Sequence, residues 1–116
     1  AIHLIKPGNQ NELNLSLEGM KKLKTLIKNI NQNTILVGDL NMTRASKRFT
    51  NFLDDANLYT LISYKNPTFT WPTFLPNYLG LQLDHVLFTE NFELIRKKIT
   101  NNFGSDHRPL LVDLAF

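Results

Sequence analysis

Three short polar clusters in this chain combine the residue types that acid–base and phosphate chemistry need: Gly38-Asp39-Leu40-Asn41, Leu83-Asp84-His85 and Gly104-Ser105-Asp106-His107-Arg108-Pro109. Each falls where an apolar run stops, so each is expected at a strand end, the place where open α/β sheets present ligands. Side chains there are fixed by the strand yet exposed, which lets carboxylates from different strands converge. Asp39, Asn41 and Asp106 offer the oxygen atoms that a hard cation such as Mg²⁺ prefers. His107 can accept the proton that water must lose on attacking a phosphate, and Asp84 can hold the imidazole in the right tautomer and stabilise its charged form. Simpler roles compete with these. Gly-Asp-x-Asn after a strand is also an ordinary turn whose Asp and Asn bond their own backbone, and Ser-Asp-His is also a loop with a capping serine. Asp84 is harder to account for that way, because a carboxylate inside a strand must find a partner.

The elements that would position these clusters follow from the apolar spacing. Residues 1–5 read as a strand, and residues 6–14 as a polar loop with Pro7 and Gly8. Met20, Leu23, Leu26, Ile27 and Ile30 then repeat with a helical period, with Ser16 as N-cap, Glu18 in the first turn, and lysines on the solvated faces. A break at residues 31–33 precedes the continuous apolar run of residues 34–37, which reads as a strand buried on both faces. Strand, helix, strand in that order implies a crossover joining parallel strands. Residues 46–56 read as a second helix ended by Asn57. Residues 58–62, 68–71, 81–89, 92–99 and 110–116 supply further strands, the last two separated by a loop over residues 101–109.

Composition narrows the setting without choosing a function. A chain of 116 residues with 42% hydrophobic content supports one domain with one core. Thirteen Lys and Arg against ten Asp and Glu leave a charge of +3, which permits an anionic partner but is no nucleic-acid-coating arm. Without cysteine there is no disulfide framework and no thiolate metal cage, so any metal rests on oxygen or imidazole. The apolar runs fall far short of the ~20 residues that span a bilayer. The start on a strand, with no methionine or signal-like stretch, reads as a chain cut from something longer, soluble as given, in a compartment left open.

The strings ILVGDLN (35–41), FTWP (69–72), LQLDHVLFT (81–89) and GSDHRPLLVDL (104–114) resemble the endonuclease/exonuclease/phosphatase superfamily, in that family's order and across almost the whole chain. The resemblance implies an α/β fold, a mixed β-sheet with flanking helices that forms the second half of a four-layer αββα sandwich, with residues 1–116 as the C-terminal half of such a domain. It implies metal-dependent phosphoester hydrolysis with Mg²⁺ or Mn²⁺, on a substrate class that includes nucleic acid. Asp39 matches a residue that positions the attacking water and helps hold metal, Asn41 one that contacts the phosphate, and Asp106 a metal ligand. His107 matches the base or phosphate-stabilising partner, and Asp84 the aspartate that pairs with it. His3 resembles a histidine beside the scissile phosphate, against the alternative of an ordinary strand-end residue. Thr70 and Trp71 resemble a groove-lining position, against a core tryptophan. Arg108 is a candidate phosphate contact by its place after His107, and Arg44, Lys47 and Arg48, which follow the Asp39 loop, could also touch a phosphate, although a solvated helix face accounts for them better. His85 should alternate away from Asp84 and be structural.

The match covers only the second half of a family domain, and the asparagine and metal-ligating glutamate of the first half have no counterpart. Glu12, Glu18, Glu90 and Glu93 are the available glutamates, none in a family-like strand motif. One mixed sheet of about six strands is therefore expected to leave a face uncovered, to be met by the other half or by a second copy of the chain as a homodimer. Two rival functions follow: a non-catalytic binding or assembly module, and a zinc hydrolase using His3, His85 and His107, whose spacing matches no common zinc motif.

Overall fold

Strand β1 (Ile2–His3) leads through a polar loop into helix α1 (Gln10–Ile30) in a computed structural model that describes residues 1–30, 32–61, 67–76, 78–101 and 103–116. The helix starts earlier than the Ser16 cap predicts. Asn9 Oδ1 accepts the Glu12 N–H at 3.0 Å, and the Glu12 carboxylate accepts the Gly8 N–H at 2.7 Å, a reciprocal capping arrangement. Ser16 instead lies buried on the inner stripe with Met20 and Ile27. Strand β2 (Ile35–Asp39), helix α2 (Lys47–Ala56) and strand β3 (Tyr59–Thr60) follow. Asn57 ends α2 in the left-handed conformation expected of it, with φ 52° and ψ 46°. Strands β4 (Asp84–Phe88), β5 (Glu93–Ile99) and β6 (Leu110–Ala115) complete the order. Asn31, Ile62, Asn77 and Asn102, read from sequence as a helix break, a strand end and two loop positions, lie outside the described residues.

The α/β class with a mixed sheet and flanking helices is as the sequence predicts, but the strands divide differently. β1, β2, β4 and β3 form a four-stranded sheet in that order, while β5 and β6 pair only with each other. Both edges of β4 are taken, by β2 and β3, and the turn in which Phe92 N–H bonds the Thr89 carbonyl at 3.2 Å redirects the chain before β5. The expected strand at residues 68–71 reduces to one bridge between Trp71 and Leu81. β1 and β2 are parallel, as a strand–helix–strand crossover requires. Gly38 permits their close approach: with φ +157°, a Cβ there would stand 1.9 Å from the Ile2 carbonyl oxygen.

Both helices cover the same side of the sheet. Met20 and Ile27 of α1 and Phe49, Phe52 and Ala56 of α2 meet Leu87, which is fully buried, with Leu36 packed against them. The opposite face of β2 is open, and Ile35 and Val37 are 45% and 38% exposed, so the run expected to be buried on both faces is buried on one. An apolar run reports that a strand can be covered, not how many layers cover it. No helix among the described residues is long and apolar enough to cross a membrane.

The two faces should respond differently to truncation. Leu87→Ala is expected to lower the free energy of unfolding by about 3 kcal/mol, as for other fully buried leucines, and Val37→Ala by less than about 1 kcal/mol, both measured by urea denaturation.

Candidate active site

Strand pairing brings three chemistry-bearing side chains to one edge of one face. Asp39 is the direct partner of Asp84 in the antiparallel β2–β4 pair and of His3 in the parallel β1–β2 pair. Because side chains alternate along a strand, partners in register share a face. His3 Nε2 lies 3.6 Å from Asp39 Oδ2. The loop between β5 and β6 then delivers His107, whose Nδ1 stands 2.7 Å from Asp84 Oδ2 and whose Nε2 stands 4.0 Å from Asp39 Oδ2. A carboxylate can only accept, so Nδ1 carries the hydrogen in this contact and Nε2 of the neutral ring presents a lone pair toward Asp39.

The turn expected of Asp39 and Asn41 forms, and it leaves one Asp39 carboxylate oxygen outside it. Asp39 Oδ1 accepts the Asn41 N–H at 2.7 Å, closing an Asx-turn with Asn41 at φ 49°. Asp39 Oδ2 faces the two imidazoles. Asn41 Nδ2 donates to the Leu4 carbonyl at 2.7 Å, tying the turn to the end of β1. Ser105 likewise caps, its Oγ accepting the His107 N–H at 3.1 Å.

Asp106 is exposed, and its Oδ2 accepts the Trp71 indole N–H at 3.2 Å. Trp71 lines the same cavity of about 510 Å³ as His3, Asp39, Asn41, Asp84, Asp106 and His107. Thr70 does not line it. The side chain is fully buried and its Oγ1 accepts the N–H groups of Leu83 and Asp84 at 3.2 and 3.3 Å, which fixes the start of β4. Arg108 also turns away from the cavity: its buried guanidinium donates to the carbonyls of Phe69, Thr73 and Leu75, stapling the Trp71 loop to the His107 loop. Donors bound to three carbonyls are not free for a phosphate. Lys6 is the lining residue that sequence reasoning missed; its only signal is its place three residues after His3. A larger depression of about 810 Å³ at the far end of the sheet, beside Thr34 and Thr89, gathers no histidine.

His85 lies on the other face from Asp84, buried against Phe49 with ring centroids 4.5 Å apart. Its Nε2 contacts the Met42 carbonyl at 2.7 Å, so it donates from that nitrogen and steadies the segment after Asn41. That placement removes the His3, His85 and His107 zinc arrangement. Among the described residues no three His, Cys, Asp or Glu side chains come together to hold a metal. Asp39 and Asp84 are engaged with histidines, Glu12 caps α1, and Glu18 pairs with Lys22 at 2.7 Å. Among the described residues, the side chains therefore form no three-ligand divalent-cation cluster by themselves.

The model of the Endonuclease/Exonuclease/phosphatase family matches residues 11–107. This chain belongs to that family. Solved structures with the same fold include a mannosyl-6-phosphatase of Bacteroides thetaiotaomicron, 22% identical with a TM-score of 0.63, which aligns over 98% of this chain and 49% of its own. The human Nocturnin catalytic domain, solved with bound sulfate, is 19% identical with a TM-score of 0.68 and aligns over 98% of this chain and 45% of its own. Beta toxin of Staphylococcus aureus is 18% identical with a TM-score of 0.56, over 91% and 47%. The family chain thus spans about half the length of the solved structures it matches. No curated protein matches the sequence.

Burial holds the His85 imidazole below its ordinary value of 6.5. The unfolded chain then binds a proton first, so the His85 contribution is complete above about pH 6.5 and declines as pH falls below it. His85→Gln is expected to flatten that part of the decline by on the order of 1 kcal/mol between about pH 7.5 and 5, read from urea unfolding at both values beside the unsubstituted protein.

Proposed function

We propose that this chain carries the water-activating half of a phosphoester-hydrolysing site. The observation that carries the reading is the alignment of Asp84, His107 and Asp39 at 2.7 and 4.0 Å. Asp84 holds Nδ1–H of the imidazole, which leaves Nε2 to take a proton from a water placed in the gap before Asp39. Asp39 Oδ2 orients that water and offsets the charge on the imidazolium once the proton has moved. Asn41, held through one amide hydrogen by Leu4, keeps its second for a phosphate oxygen, and His3 stands at the rim as a further donor.

Asp106 and Asp39 are the oxygen donors that this chain offers Mg²⁺ or Mn²⁺, with the remaining ligands expected from substrate, water and protein outside it. A cation there would add Lewis-acid polarisation of the phosphate. Family membership, and the phosphatase and sulfate named for two of the solved relatives, support a phosphoester substrate; nucleic acid is one such class. The absence of a three-ligand cluster among the described residues favours a second reading for the chain on its own, half of a bipartite site that binds without turning over.

Hydrolysis of bis-p-nitrophenyl phosphate and of plasmid DNA with Mg²⁺ or Mn²⁺ separates these. His107→Ala should lower the rate about a hundredfold or more, the scale of a positioned base. Equal rates in both proteins would overturn the role of His107, and no turnover in either would leave the second reading.

A further inference from the structure

The cavity beside His107 does not end at Trp71. A second depression of about 400 Å³ continues from it, and the two share Lys6, Asn41, Trp71 and Leu83. Their charges are opposite in kind. The first holds Asp39, Asp84 and Asp106, whereas the charged side chains lining the second are Lys6 and Arg48, with no carboxylate among its lining residues. Lys6 Nζ sits 5.4 Å from the centroid of the Trp71 ring, on the ridge between them.

Arg48 supplies the decisive observation. It lies in the first turn of α2, where there is no acidic residue, and its Nη1 is buried without a hydrogen-bond partner. A buried guanidinium N–H left unpaired forfeits its hydration with nothing in return, so such groups ordinarily have an acceptor. The acceptor that suits a guanidinium beside an ammonium is a phosphate oxygen.

We infer that the Lys6–Arg48 cavity takes a second phosphate of the same molecule whose scissile phosphate lies beside His107. This rests on the hydrolytic reading above and narrows it: the substrate is a phosphoester that carries another phosphate nearby. A nucleotide strand and a polyphosphorylated sugar both have that chemistry.

The test is calorimetric titration of the whole chain with two matched pairs of probes. One pair is a dinucleotide with and without a terminal phosphate; the other is an inositol bisphosphate against the monophosphate. In at least one pair the extra phosphate should tighten binding about tenfold, the scale of one charge-assisted hydrogen bond, and the responding pair names the source. Arg48→Met and Lys6→Gln should each remove that gain. Arg48→Met should also melt no lower than the unsubstituted protein, since the donor it deletes has no partner; should it fail to fold, the exposed Lys6 decides. No gain in either pair, or a gain that survives both substitutions, overturns the inference. A gain in a protein without hydrolytic activity would keep this inference and leave the chain as a half-site that binds without turning over, whereas hydrolysis without any gain would remove this inference alone.

Discussion

The register between β2 and β4 is the constraint on which the cavity depends. With Ile35 opposite Phe88, Leu36 opposite Leu87 and Val37 opposite Val86, the last pair in the ladder has to be Asp39 opposite Asp84. A slip of β2 by one residue would turn Leu36 out of the helix-covered core and carry Asp39 to the face opposite Asp84. The burial that holds the core thereby sets the spacing of the two acids. Gly38 extends the same register to β1, because only a residue without Cβ lets the Ile2 backbone lie so close, and His3 takes its place beside Asp39 as a result.

Two carboxylates facing each other across a strand pair repel, and the cavity resolves this with imidazoles rather than with lysine or arginine. His107 bridges them, bonded to Asp84 and within reach of Asp39. Loops hold that bridge in position. Thr73 N–H bonds the Asp106 carbonyl, Arg108 N–H bonds the Thr70 carbonyl, and the Arg108 guanidinium closes three more carbonyls, so the Trp71 and His107 segments behave as one unit. The Asp39, Asp84 and His107 side chains are thus held in place from both loops, in a chain that covers about half of its solved relatives.

Much of this was legible in the residues. Asp39, Asn41, Asp84, Asp106 and His107 stand out at the ends of apolar runs, but spacing alone left turns and caps as equal accounts and the family resemblance singled them out; all five line one cavity. The parallel β1–β2 pair and the Asn57 helix stop follow from local rules. Other features depend on partners distant in sequence. Nothing in Thr70 says that its hydroxyl will receive the amides of Leu83 and Asp84, nor in Arg108 that its donors will meet loop carbonyls rather than a ligand. Ser16 was the cap that the apolar period suggested, whereas Asn9 caps the helix and Glu12 closes back on Gly8. The single-sided cover of β2 was hidden because Ile35 and Val37 are as apolar as the half-buried Leu36 and the buried Leu87.

In the proposed site Asp84 fixes the tautomer of His107 and so leaves Nε2 free for chemistry. Nitrogen-15 NMR of the histidine rings reads this directly, with no need for turnover. The neutral His107 ring should carry its hydrogen on Nδ1, and Asp84→Ala should release it to the tautomer mixture of a solvated imidazole. A ring already protonated on Nε2 in the unsubstituted protein, or one indifferent to Asp84, would contradict the account.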